Sequence, residues 1–262
     1  MQFCFPEGRT KALTFSYDDG RAADRDLVEL LNRFELKATF HLNSGTLGAQ
    51  GYIEPDEAPY LYHGHEVACH SVTHPHLTRL PQSEALWEIF GDKGQLERLV
   101  GQPIRGFSYP YGEVTESLTQ AARLAGLEYA RSTNATHTFS WPENFLRWDP
   151  TCHHNQLTRA LVQRFLDPAD HEMCPILFVW GHSYEFDRDE NWHQFEELCS
   201  QLAGQEDTWY ATNIQIKDYI QAIRSLAVTA DGSLVYNPSA VTVWAISQGQ
   251  PVPLMPGVCT QV

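Results

Sequence analysis

The feature that most limits what this chain can fold into is an alternation of short strands and amphipathic helices that repeats about seven times. "ALTFSY" (12–17), "KATFHLNS" (37–44), "HEVACH" (65–70), "IRGFSYP" (104–110), "EYARS" (128–132), "PILFVWGHS" (175–183) and "TWYATN" (208–213) read as strands. Between and after them, 21–34, 83–101, 115–126, 157–166, 192–204 and 214–226 carry apolar residues at helical spacing, as Leu27, Leu30, Leu31 and Phe34 do in the first. Strands apolar on both faces, as in "ILFVW", belong to a parallel sheet covered by helices, and about seven units predict closure into a distorted (β/α)7-type barrel. After residue 225 the pattern changes. Asp231-Gly232, Asn237-Pro238 and Gly249 punctuate β-branched and aromatic runs, so 1–225 reads as the barrel and 226–262 as a small β-hairpin extension.

In such folds chemistry sits where strands end, and here those ends are rich in metal-ligand residues. "TFSYDDG" delivers Asp18 and Asp19 into the turn before the first helix. A lone Asp there reads equally as a helix cap or an Asx-turn; two in succession followed by Gly20 ask for more. "HSVTH" places His70 and His74 four residues apart directly after a strand, a spacing that brings two imidazoles together on a helical turn or in a tight loop. Two imidazoles and one carboxylate leave positions open on a divalent ion, which suits a catalytic site.

These motifs resemble those of the polysaccharide deacetylases, carbohydrate esterase family 4. "TFSYDDG" resembles the family's T-F-D-D-G with two residues inserted, "HSVTH" meets H-[ST]-x-x-H, Pro110-Tyr111-Gly112 meets the end of R-x-P-Y-G, and "ILFVWGHS" resembles the strand that leads to a catalytic histidine. The resemblance implies that Asp19, His70 and His74 bind a divalent metal, with zinc expected before cobalt, nickel or manganese. It also implies that Asp18 is the general base, His182 the general acid, and the backbone N–H of Tyr111 an oxyanion donor. The reaction implied is hydrolysis of the N-acetyl group of an amino sugar or short oligosaccharide. Where the family has its motif-three arginine this chain has Ser108. Arg147, in "FLRWDPTCHH", stands where the fourth motif falls and is expected to reach Asp18 in its place; Asp149 is expected to pair with His182, and Trp148 to form a substrate wall. Trp180 takes the position of a leucine lining the acetyl pocket, and His153 and His154 could line the sugar site or add a ligand. Tyr184, Glu185 and Asp187 follow His182 without an assigned role.

Composition narrows the function classes. A net charge of −15 opposes binding to nucleic acid or anionic lipid, and no apolar run is long enough for a membrane span. The start of the chain shows no signal-peptide pattern and six scattered cysteines suggest free thiols, so a cytoplasmic protein is expected, its oligomeric state open. A related amidase or deformylase on the same barrel, and a sugar-binding pseudoenzyme lacking the motif arginine, are the competing readings.

Overall fold

In the computed structural model, which describes residues 2–169 and 172–262, the alternation becomes one eight-stranded parallel sheet. Its strands are β2 (Lys11–Asp19), β3 (Ala38–Leu42), β4 (Glu66–Cys69), β5 (Gly106–Ser108), β6 (Tyr129–Arg131), β7 (Cys152–His153), β8 (Ile176–Gly181) and β9 (Thr208–Tyr210). The order is β6-β5-β4-β3-β2-β8-β7, and β9 pairs with the first residues of β2. The gap between the edges β6 and β7 is closed by the segment before β7: Trp148 N–H donates to Ala130 O and Ser132 N–H to Trp148 O, and Thr151 N–H reaches Phe178 O. The sheet therefore closes through an irregular segment, which is the distortion expected of a barrel with fewer than eight regular units.

The helices α1 (Asp24–Arg33), α2 (Ala58–Leu61), α3 (Gln82–Val100), α4 (Glu116–Leu124), α5 (Arg159–Leu166), α6 (Tyr184–Arg188), α7 (Trp192–Leu202) and α8 (Asn213–Ser225) cover the sheet. Their ends follow local chemistry. Thr115 caps α4 and Thr158 caps α5 through side-chain oxygens, Thr212 and Gln215 form a capping box on α8, and Gly101, at φ 70°, ends α3 in the left-handed region. Leu27, Val28, Leu30 and Leu31 of α1 and Phe195, Leu198 and Leu202 of α7 bury against the fully covered β2 and β8 side chains Phe15, Tyr17, Leu177 and Val179.

Residues 226–262 form strands β10 (Ala227–Val228), β11 (Leu234–Tyr236), β12 (Val243–Ser247), β13 (Gln250–Leu254) and β14 (Cys259–Gln261) in two three-stranded sheets. One of them recruits β1 (Gln2–Cys4), antiparallel to β12, so the extension is tied to the other end of the chain. Tyr219 of α8 fastens it, its hydroxyl donating to Cys4 O at 2.6 Å and accepting from Trp244 N at 2.9 Å. Among the described residues no helix is long and apolar enough to cross a membrane.

Candidate active site

The C-terminal ends of β2, β4, β5, β6 and β8 converge on a cleft of about 470 Å³ lined by Asp18, Asp19, His70, His74, Tyr109, Tyr111, Thr133, Trp180, His182 and Tyr184. Asp18 and Asp19 are the last residues of β2, and both carboxylates approach one imidazole, each with an oxygen 3.7 Å from His70 Nε2, the buried Asp18 from inside the barrel and Asp19 from nearer the rim. Asp19 adopts φ 83°, a left-handed conformation that Asp tolerates better than most residues and that turns the chain at Gly20.

"HSVTH" forms a tight loop, with left-handed Ser71 (φ 68°) and His74 (φ 57°). Asn43 Nδ2 donates to the His70 and Ser71 carbonyls, and the buried Asp92 accepts from His70 N at 2.9 Å and Ser44 N at 2.8 Å. The imidazoles of His70 and His74 meet edge to face, centroids 4.7 Å apart. His70 Nδ1 lies 2.8 Å from Ser108 O, which fixes the proton on Nδ1 and leaves the Nε2 lone pair free. That Nε2 is buried without a hydrogen-bond partner, 3.7 Å from Asp19 Oδ1, and His74 Nε2 is 3.9 Å from the same oxygen. Burial pushes the His70 pKa down to about 3, so the ring is neutral, as a metal ligand must be. The donor set Asp19, His70 and His74, within 4.8 Å of one another, fits a divalent ion.

Asp18 is held by a residue other than the one expected. Arg147 points outward to Glu116 at 2.9 Å and does not reach it. The guanidinium comes instead from Arg131, fully buried on β6 and paired in register with Ser108 of β5. Arg131 donates through NH2 to Asp18 Oδ2, through Nε to Ser16 Oγ at 3.0 Å and through NH1 to Ser132 O at 2.9 Å, while Ser108 Oγ donates to Asp18 Oδ1 at 3.1 Å. The motif-three arginine has thus moved one strand over. Burial by itself would raise the Asp18 carboxyl, but the Arg131 guanidinium overrides it and holds the group well below the ordinary carboxylate range.

The partner of His182 also differs. Asp149 accepts from Ser132 Oγ and, at 3.1 Å, from Asn134 Nδ2, away from His182. Glu185, three residues along at the start of α6, takes its place: its Oε2 lies 3.3 Å from His182 Nδ1 and accepts from His182 N at 3.2 Å. Burial opposes a charged His182, yet Glu185, Asp18 and Asp19 outweigh it and raise its pKa. His153 and His154 do not line the cleft; they stand behind Glu185, with Nε2 atoms 2.9 and 3.4 Å from the same Oε2. This cluster has the composition of a second metal site. Its hydrogen bonds argue otherwise, because His153 Nδ1 accepts from Asn155 N at 3.2 Å, which puts the proton on Nε2 and points it at Glu185.

Trp148 is core rather than a substrate wall, 2% exposed and packed on Tyr129, Phe145 and Phe178. Trp180 does line the cleft, and its ring lies 4.6 Å from the Arg131 guanidinium carbon. Tyr111 sits at the rim in a left-handed conformation (φ 59°), its ring stacked on His76 at 3.7 Å. Arg131 and Glu185 are the functional candidates that motif reading passed over. The signals available were an arginine at a strand's end in "YARS" and a carboxylate one helical turn after His182.

Comparison with known proteins agrees with the motif resemblance. A family model described as polysaccharide deacetylase matches residues 6–130, just under half of the chain. The matched stretch holds Asp18, Asp19, His70, His74, Ser108 and Tyr111 and stops one residue before Arg131. The peptidoglycan-N-acetylmuramic acid deacetylase PdaC of Bacillus subtilis is 29% identical over 120 residues, 45% of this chain and only a quarter (25%) of that protein's length. Among solved structures, a putative polysaccharide deacetylase from Mycobacterium smegmatis superposes with a TM-score of 0.62 at 16% identity, covering 86% of this chain and 95% of that one. The Bacillus subtilis PdaC structure gives 0.54 at 19% identity over 82% and 94%. A family 4 carbohydrate esterase from Streptomyces lividans gives 0.52 at 21% identity over 78% and 92%. At these identities the solved structures establish the barrel.

Proposed function

We propose that this chain, whose residues 6–130 match the polysaccharide deacetylase family model, is a metal-dependent hydrolase that removes the N-acetyl group from an amino sugar or short oligosaccharide. The observation that carries the reading is the buried, unpartnered Nε2 of His70, facing Asp19 and His74 beside an Asp18 locked to Arg131. A divalent ion bound by Asp19, His70 and His74, zinc in the first instance, supplies a Lewis acid that polarises the amide carbonyl and acidifies water at the site.

The chain's own groups do the rest. Asp18, fixed through both oxygens, takes a proton from the attacking water. The left-handed backbone of Tyr111 presents its N–H to the oxygen on which charge develops. His182, with Glu185 Oε2 3.3 Å from its Nδ1, protonates the departing amine nitrogen. The products are acetate and the free amino sugar. Trp180 and Tyr111 supply the aromatic walls against which a sugar ring packs. A sugar-binding pseudoenzyme is suggested by Ser108 and by the β-rich tail; the guanidinium that Arg131 supplies to Asp18 supports the hydrolase reading against the first of these.

The test is metal analysis of the purified protein together with acetate release from a panel of N-acetylated oligosaccharides, before and after chelation. The reading expects one bound divalent ion and acetate release that chelation abolishes. Stoichiometric metal with no acetate from any member of the panel would favour a different amide substrate on the same barrel.

A further inference from the structure

The residue after the Asp-Asp-Gly turn, Arg21, has no place in the reaction above. Its guanidinium carbon lies 4.3 Å from the centre of the Tyr52 ring and 5.0 Å from that of Tyr184. Tyr184 lines the cleft, with its ring 5.3 Å from His182, so Arg21 stands at the rim on the side of the general acid. Its backbone pairs with Tyr52 in an isolated bridge, which fixes the loop carrying one of the two rings.

Arg21 combines an unpaired guanidinium with a place beside the cleft. The chain has 33 acidic residues against 18 basic ones, and Arg25, Arg33, Arg105, Arg131, Arg147 and Arg159 each have a carboxylate within 3.0 Å. The guanidinium of Arg21 makes no ion pair within 4.0 Å among the described residues, and its Nε is buried without an acceptor. Asp19, the acid nearest in sequence, faces His70 and His74 instead. Two tyrosine rings hold the side chain, which reduces the conformational entropy lost when its planar fork engages a ligand. A guanidinium fork suits an oxyanion, a carboxylate or a phosphate. An unpaired guanidinium beside the cleft gives an anionic substituent a partner that a neutral one cannot use.

We propose that Arg21 reads an anionic substituent on the saccharide, so that the enzyme prefers an N-acetylated amino sugar bearing a carboxylate or phosphate over its neutral counterpart. This rests on the saccharide reading of the cleft given above. The test compares neutral, carboxylate-bearing and phosphate-bearing N-acetylated oligosaccharides of equal length as substrates of the metal-loaded wild type, Arg21→Gln and Arg21→Lys. Metal content and thermal midpoint are recorded for each protein. In the wild type kcat/KM should favour one of the anionic substrates, and which one identifies the group read. In Arg21→Gln the ratio of anionic to neutral kcat/KM should fall about 10- to 100-fold, mainly through KM, as expected for loss of a charge-assisted hydrogen-bond pair. Arg21→Lys should retain part of the preference. A ratio that is the same in wild type and both variants overturns the proposal, leaving Arg21 a clip between the Tyr52 loop and α6. Calorimetric titration with the same saccharides keeps the two readings apart. Arg21-dependent binding of the anionic saccharide without acetate release would sustain the proposal and sink the hydrolase, whereas hydrolysis of all three with equal efficiency would do the reverse.

Discussion

At the scale of single residues, two assignments separate Asp18 from its neighbour. Asp18 is buried and double-braced, whereas Asp19 is shared by two imidazoles, so Asp18→Asn should leave metal content intact while lowering acetate release by about 10²-fold or more. Loss of metal in that variant would reverse the roles of the two aspartates. Arg131→Ala should be as damaging as Asp18→Asn, because it strands a buried carboxylate, and Arg147→Ala should be close to wild type, since among the described residues its ion pair is a surface one with Glu116. Equal effects from both arginine variants would discredit this geometry. His182 allows a pH test. Its pKa is raised from the ordinary histidine value by Glu185, with Asp18 and Asp19, against the cost of burial, so removing Glu185 should lower it. The alkaline limb of the kcat/KM profile should therefore move to lower pH in Glu185→Gln. The acid limb of Asp18 should lie below the working range in both proteins, because Arg131 holds that carboxyl so low.

At the scale of elements, the metal-ligand candidates and the acid were legible because each lies in a contiguous motif at a strand's end, while their supports come from across the sheet. Ser108 and Arg131 are neighbours only through the β5–β6 register, 23 positions apart in sequence, and nothing local in "FSYPYG" announces that the adjacent strand will supply the guanidinium. Glu185 was named without a role, since its distance from His182 becomes meaningful only once α6 is known to start at Tyr184. Trp148 was misread for a similar reason: the segment that closes the sheet turns its indole into the core. β8 adds a requirement of its own. A Cβ on Gly181 would fall 2.1 Å from Nδ1 of His154, whose ring is buried between Tyr17 and Phe186 and backs Glu185. Gly181→Ala should cost about 1–3 kcal/mol of stability through overpacking, and should reduce activity as well by displacing the carboxylate behind His182. A denaturation midpoint matching wild type would mean that the barrel relaxes around the added methyl.

At the scale of the whole molecule, the pH dependence of stability is set by two opposed groups of buried side chains. Burial raises Asp24, Glu66 and Asp92 to about 7, so each is protonated in the folded protein and ionised when unfolded between about pH 4.5 and 6.5; these three add stability as pH falls. Burial lowers His41, His70 and His154 to about 3 and His65 to about 4, so each stays neutral when folded and takes a proton when unfolded over the same window; these four remove stability as pH falls. Asp19, also raised by burial, acts with the carboxyls, so the gains largely offset the losses. In the metal-free protein, unfolding free energy should therefore change only weakly from about pH 6.5 to 4.5. Below about pH 4.5 the sign is uniform. Protonation of Asp18, Glu128 and Glu185, all held low in the folded state, then removes stability together with the histidines, and the decline should steepen. Urea denaturation at half-unit pH intervals checks both regimes. A slope of several protons already present at pH 6 would show that the buried carboxyls are ionised in the folded protein, and with them would go the neutral Asp92 that steadies the His70 loop.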